Sequence, residues 1–101
     1  SDEQYTIEHI LPQNPNEEWG ENNYNFDSLI YRLGNLCLLE RKMNNDISNN
    51  PYDRKAKIYK NSNIKTTKEI PEQYSTWEAS SINQRQQKIG KFAANYWKID
   101  F

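Results

Sequence analysis

Apolar and polar positions alternate most clearly near the start of the chain. In "YTIEHIL", residues 5–11, Tyr5, Ile7 and Ile10 or Leu11 are apolar, and several residues are β-branched or aromatic, which predicts a strand. Pro12 and the polar run "QNPNEEWGENNYN" end that strand and predict a long loop. "FDSLIYRL" reads as a short helix capped by Asp27 or Ser28 and closed by Gly34. The apolar run "NLCLL", residues 35–39, is bounded by Gly34 and by charges and predicts a buried strand, and "ERKMNNDI", residues 40–47, predicts a couple of helical turns. In "NNPYDRKAKIYKNS" a helix is signalled by Asn50 as N-cap, Pro51 at the first helical position, and Tyr52, Ala56 and Tyr59 at helical spacing. The last segment opens on Ser75-Thr76-Trp77-Glu78, which has capping-box spacing, and Ile82, Ile89, Phe92, Ala93 and Tyr96 line one helical face to about Trp97. Trp77 and Trp97 are expected to pack in the core.

The expected order is therefore strand, long loop, short helix, strand, short helix and two longer helices. This is an α+β, mostly helical chain, and nothing marks a boundary within residues 1–101. With 35% hydrophobic and 13% aromatic residues, its single core is expected to rest largely on Trp, Tyr and Phe. No apolar run approaches the roughly 20 residues that cross a bilayer, and no signal-peptide pattern opens the chain, so no membrane role is expected. One cysteine, Cys37, allows no internal disulfide, which points to a cytoplasmic setting. Between Leu36 and Leu38 it reads as a small buried hydrophobe. One cysteine and one histidine also cannot build a structural zinc site, so a bound metal here takes oxygen, amide or imidazole ligands.

The net charge is −1, yet residues 1–40 sum to −7 while residues 41–68 sum to +6. A basic central block in a near-neutral chain is either a phosphate-facing surface or a solvated lysine-rich helix face.

The chemistry centres on His9, the one histidine. Sites that need two histidines are excluded. A single imidazole with an unperturbed pKa near 6.5 is suited to take a proton from water. Phosphodiester cleavage also needs a cation to meet the developing charge, with oxygen ligands beside the base. Glu8 is adjacent, but neighbouring strand side chains point to opposite faces, so a bend or bulge at His9 is required for both to serve one site. Pro12 makes an irregular strand end natural. Taken singly, Glu8-His9 reads as part of an ordinary strand with one polar residue turned to water, and asparagines such as Asn35, Asn44 and Asn45 read as caps or turns. Their joint order carries the chemical reading.

"IEHILPQ", then "LGNLCLL", then "MNND" resembles the HNH (His-Me finger) endonucleases, with their ββα-metal motif. More narrowly, "YTIEHILPQNPNEEW", "RLGNLCLLERKMNNDISNNPYDRKAKIYKNSNI" and the terminal Trp77 to Trp97 pattern are similar to the C-terminal HNH domain of GmrSD-type, modification-dependent restriction enzymes. The resemblance implies a short two-stranded hairpin and helix packed with additional C-terminal helices. It also implies a single endonuclease domain cut from the C-terminal end of a larger protein, acting on DNA in phage defence. An N-terminal NTPase-like domain of that parent is the implied partner. His9 is implied as general base, Asn35 as the residue that holds the hairpin and orients the histidine, and Glu8 and Asn44 as ligands of one Mg²⁺ or Mn²⁺. Asn45 is the alternative to Asn44. Arg41, Lys42, Arg54 and Lys55 are candidate phosphate contacts. The competing expectation is an HNH-shaped module that binds nucleic acid, or docks its own NTPase half, without cutting.

Overall fold

The computed structural model describes residues 4–15, 19, 26–44, 47 and 49–98, with backbone alone for 26, 27 and 95–98. The Asn45 alternative, the Asp27 cap, the side chains of Tyr96 and Trp97, and much of the long polar loop lie outside the described residues. Strand β1 (Tyr5–His9) pairs antiparallel with β2 (Leu36–Glu40), from Tyr5 opposite Glu40 to His9 opposite Leu36. Between them come helix α1 (Phe26–Ile30) and a 3-10 turn (Leu33–Asn35). After β2 come α2 (Arg41–Asn44), α3 (Tyr52–Tyr59), α4 (Lys65–Lys68), α5 (Ile70–Gln73) and α6 (Ala79–Lys98). The chain is thus a ββα unit wrapped by further helices, as the family resemblance implies, with the main elements in the order that the apolar pattern predicts. Helices α4 and α5 are additions to that prediction, too short to leave a periodic signal. They are fixed by burial of Thr67 and Ile70 and by the bond from Thr67 Oγ1 to the carbonyl of Leu38 (2.6 Å).

Strand β1 buries the face that its sequence makes polar, against the apolar face of β2. Thr6 and Glu8 share one face of β1 with Cys37 and Leu39 across the register, and Glu8, Cys37 and Leu39 are buried. The apolar residues Tyr5 and Ile7 of β1 and Leu38 of β2 lie half or more exposed. The core itself gathers Ile10, Leu11, Leu29, Ile30, Leu39, Ile47, Tyr52, Tyr59, Ile70, Trp77 and Ile82. Trp77 stacks on Tyr52 (5.7 Å between ring centroids) and meets Tyr74 edge-on (5.3 Å). Cys37 is buried as expected, and burial pushes its thiol up to about 12, so it stays protonated.

Three local expectations shift under tertiary packing. The cap position of α3 falls on Pro51, with extended backbone, and Asn50 stands one residue outside it. Helix α6 starts at Ala79, after the proposed capping box, because Trp77 is drawn into the core. Ser81 Oγ then accepts from the Glu78 N–H (3.1 Å) and donates to the Thr76 carbonyl (3.0 Å). Gly34 does not close α1. It lies inside the 3-10 turn, pressed against α6, where an added Cβ would sit 2.2 Å from the Ile82 carbonyl oxygen and 2.8 Å from the Gln86 nitrogen. Among the described residues of α6's predicted apolar face, Ile82 is in the core, Ile89 is half-buried and Phe92 is 74% exposed.

Glu40, at the end of β2, is fully buried, and its two oxygens accept from Ser62 Oγ and from the Asn63 N–H, each at 2.7 Å. Burial alone raises its pKa, but these two bonds, with its own backbone N–H and the Lys42 charge, outweigh it and hold the carboxyl below its usual 4.5. A carboxyl depressed on folding contributes stability that is present above its unfolded value and lost as pH falls through the folded one. Denaturant unfolding followed from pH 7 downward is therefore expected to show stability dropping below about pH 4.5, with Glu40→Gln less stable at neutrality and less sensitive to acid.

Candidate active site

The chain leaves β1 at His9 and bends at Ile10, and two side chains from distant segments hold that bend. The first is Asn35, buried to 0% exposure at the mouth of β2. Its Oδ1 accepts from the Leu11 N–H (2.8 Å) and from Trp77 Nε1 (2.9 Å), and its Nδ2 donates to the carbonyls of Leu11 (2.9 Å) and Ile30 (3.0 Å). Every hydrogen-bonding site of the amide is used. The backbone adds a bond from the Ile10 N–H to the Asn35 carbonyl (2.9 Å). Asn35 therefore acts behind the site, two residues past the histidine, and does not line the cleft.

The second is Lys55 on α3, also fully buried. Its ammonium donates to Glu8 Oε2 (2.9 Å), to the His9 carbonyl (2.9 Å) and to the Ile10 carbonyl (3.0 Å), so its three protons meet three acceptors. One turn along α3, Tyr59 donates to the same Glu8 Oε2 at 2.7 Å. The Trp19 ring, 5.8 Å from the Lys55 Nζ, adds a cation–π contact. Lys55 was expected among the phosphate contacts. Its burial and its full set of acceptors put it under Glu8 instead, while Arg41, Lys42 and Arg54 are exposed.

Asn44, the last residue of α2, donates through Nδ2 to Thr6 Oγ1 (2.6 Å), and Thr6 in turn donates to the Leu39 carbonyl (3.2 Å). Thr6 and Glu8 lie on one face of β1, so this bond seats Asn44 beside the carboxylate. It also occupies the amide nitrogen and leaves the carbonyl oxygen as the atom of Asn44 suited to a hard cation. Glu8, His9 and Asn44 line one cleft of about 270 Å³ together with Pro12, Gln13 and Asn49. The bend at Ile10, directly after His9, lets residues of alternate strand direction share it. The His9 ring is half-buried, edge-on to Tyr31 at 5.8 Å. Its pKa is lowered, chiefly by burial; Glu8 opposes the shift and Lys55 adds to it. The shift favours the neutral imidazole, the form able to accept a proton.

The donor set fits a particular kind of cation. Among the described residues no cluster of three or more His, Cys, Asp and Glu exists that would cage a metal. One carboxylate and one amide carbonyl on an open cleft match an ion that keeps several waters and takes substrate phosphate oxygens, as Mg²⁺ does. Sequence reading missed Tyr59 and the Trp77 bond to Asn35. The available signal was the spacing of Lys55 and Tyr59, four apart on one helical face, but nothing local says that this face meets Glu8.

No helix among the described residues is long and apolar enough to cross a membrane. No curated protein and no solved structure matches the chain. The family described as "GmrSD restriction endonucleases, C-terminal domain" matches residues 1–92, nearly the whole chain and all of the cleft. A chain matched over that length is a member, and this protein belongs to the GmrSD restriction endonuclease C-terminal domain family.

Proposed function

We propose that the domain is a metal-dependent DNA endonuclease, the cutting module of a modification-dependent restriction enzyme that acts in phage defence. The observation that carries this reading is the meeting of Glu8, His9 and Asn44 in one cleft. The neutral His9 imidazole takes a proton from the attacking water. The Glu8 carboxylate and the Asn44 carbonyl would hold one Mg²⁺ or Mn²⁺, which would supply positive charge to meet that developing on the scissile phosphate and the leaving 3′-oxygen. The product then carries a 5′-phosphate. Asn35 and Lys55 keep the 8–11 backbone in the shape that presents His9. Arg41, Lys42 and Arg54 contact flanking phosphates, which positions the duplex without reading its sequence. In the parent protein, an N-terminal NTP-using domain licenses the cut.

The test is relaxation of supercoiled plasmid. Nicking is expected with Mg²⁺ or Mn²⁺, and excess chelator is expected to abolish it. Glu8→Gln should lower the rate at least about tenfold, the scale seen when a metal's protein environment is disturbed. Cleavage that persists in chelator, or that is indifferent to Glu8→Gln, would refute the mechanism. Duplex binding without cleavage, in the parent protein as in this domain, would favour the non-cutting module.

A further inference from the structure

The Glu8 carboxylate is held unevenly. Both of its hydrogen bonds among the described residues, from Lys55 Nζ at 2.9 Å and from Tyr59 OH at 2.7 Å, fall on Oε2. Lys55 cannot readily swing aside, since its other two protons are fixed on the carbonyls of His9 and Ile10. Tyr59 is itself fully buried against the same oxygen. An oxygen that accepts from an ammonium and a phenol has its lone pairs in use, and a cation placed there would lie against the Lys55 charge.

We propose that Lys55 and Tyr59 are positioning residues that confine Glu8 to coordination through Oε1 alone, and that this selects Mg²⁺ and Mn²⁺ over Ca²⁺. The inference rests on the metal-dependent reading above and specifies its cation. Mg²⁺ binds at short, octahedral distances through single carboxylate oxygens and keeps its waters. Ca²⁺ is larger, takes more oxygens and commonly draws on both oxygens of a carboxylate. Glu8 is the one acidic residue among the described residues lining the cleft, so no second carboxylate replaces the blocked oxygen.

The test is Mn²⁺ binding to the 101-residue chain, read from the loss of the free-ion electron paramagnetic resonance signal, with Ca²⁺ as competitor. The chain is compared with Tyr59→Phe, which keeps the ring packing, and with Lys55→Met. In the unaltered chain Mn²⁺ is expected to bind more tightly than Ca²⁺. The ratio of the Ca²⁺ to the Mn²⁺ dissociation constant should fall about threefold in Tyr59→Phe and about tenfold in Lys55→Met, within the range of outer-ligand effects. A merely structural role would weaken both ions together and leave the ratio unchanged. An unchanged ratio in folded Tyr59→Phe overturns the proposal even if Lys55→Met does not fold. Loss of Mn²⁺ binding in Glu8→Gln alongside that unchanged ratio would leave the metal site standing and remove only the selectivity. Absence of Mn²⁺ binding by the unaltered chain would overturn both.

Discussion

Replacing His9 with alanine is expected to lower metal-supported plasmid cleavage by about 10²–10⁴-fold, the usual contribution of a positioned general base. The fold should survive, because the Lys55 bond falls on the His9 backbone carbonyl and not on the ring. What the substitution removes from packing is the edge-on contact with Tyr31, of the order of 1 kcal/mol. Since His9 is the one histidine in the chain, no second imidazole takes over. The same group sets the pH profile. A base must be unprotonated to act, and burial lowers the His9 pKa from 6.5, so activity should climb with pH along an acid limb centred below 6.5. Initial rates from pH 5 to 8 at fixed ionic strength measure that limb. A limb centred above 6.5, or a His9→Ala protein that cuts at the unaltered rate, would remove the histidine from the mechanism.

Asn35→Ala attacks the scaffold rather than the chemistry. It strips partners from the Leu11 N–H and carbonyl, the Ile30 carbonyl and the Trp77 indole N–H, around a residue with 0% exposure. Leaving a buried polar group unsatisfied costs about 1–3 kcal/mol each. Even with partial relief by entering water, the loss should reach about 4 kcal/mol, a large part of the 5–15 kcal/mol that holds a typical domain folded. Urea unfolding followed by tryptophan fluorescence, which Trp77 reports directly, is the measurement. A loss below about 1 kcal/mol would mean that the four bonds are not what holds the bend. The two variants separate by their signatures: His9→Ala should keep its stability and lose activity, and Asn35→Ala should lose stability and, with the 8–11 bend loosened, activity as well.

Much of this was legible in the chain. The two strands, α3 and α6 follow from local alternation and helical spacing, and the order of Glu8, His9, Asn35 and Asn44 pointed to a ββα site. The errors share one cause. The apolar Tyr5 and Ile7 suggest a strand whose apolar face is inward, yet Thr6 and Glu8 face inward, because the partner waiting there is an ammonium and a phenol rather than a hydrocarbon surface. Likewise Lys55 looked like one member of a basic block, and only α3 lying across the end of β1 turns it from solvent to Glu8. Gly34 looked like a helix stop, and only the approach of α6 shows that a side chain has no room there.

Local sequence was enough to mark out β1, β2, α3 and α6, and to supply the residue types on hand for acid–base and ion chemistry. Those properties depend on neighbours a few positions away. The tertiary structure alone decided which face of β1 is inside, which lysine is buried, and that Asn44 reaches Thr6 across 38 positions while Lys55 reaches Glu8 across 47. Periodicity marks out a face, but the energy of burying a charge depends on the group packed against it, and that group comes from a distant part of the chain.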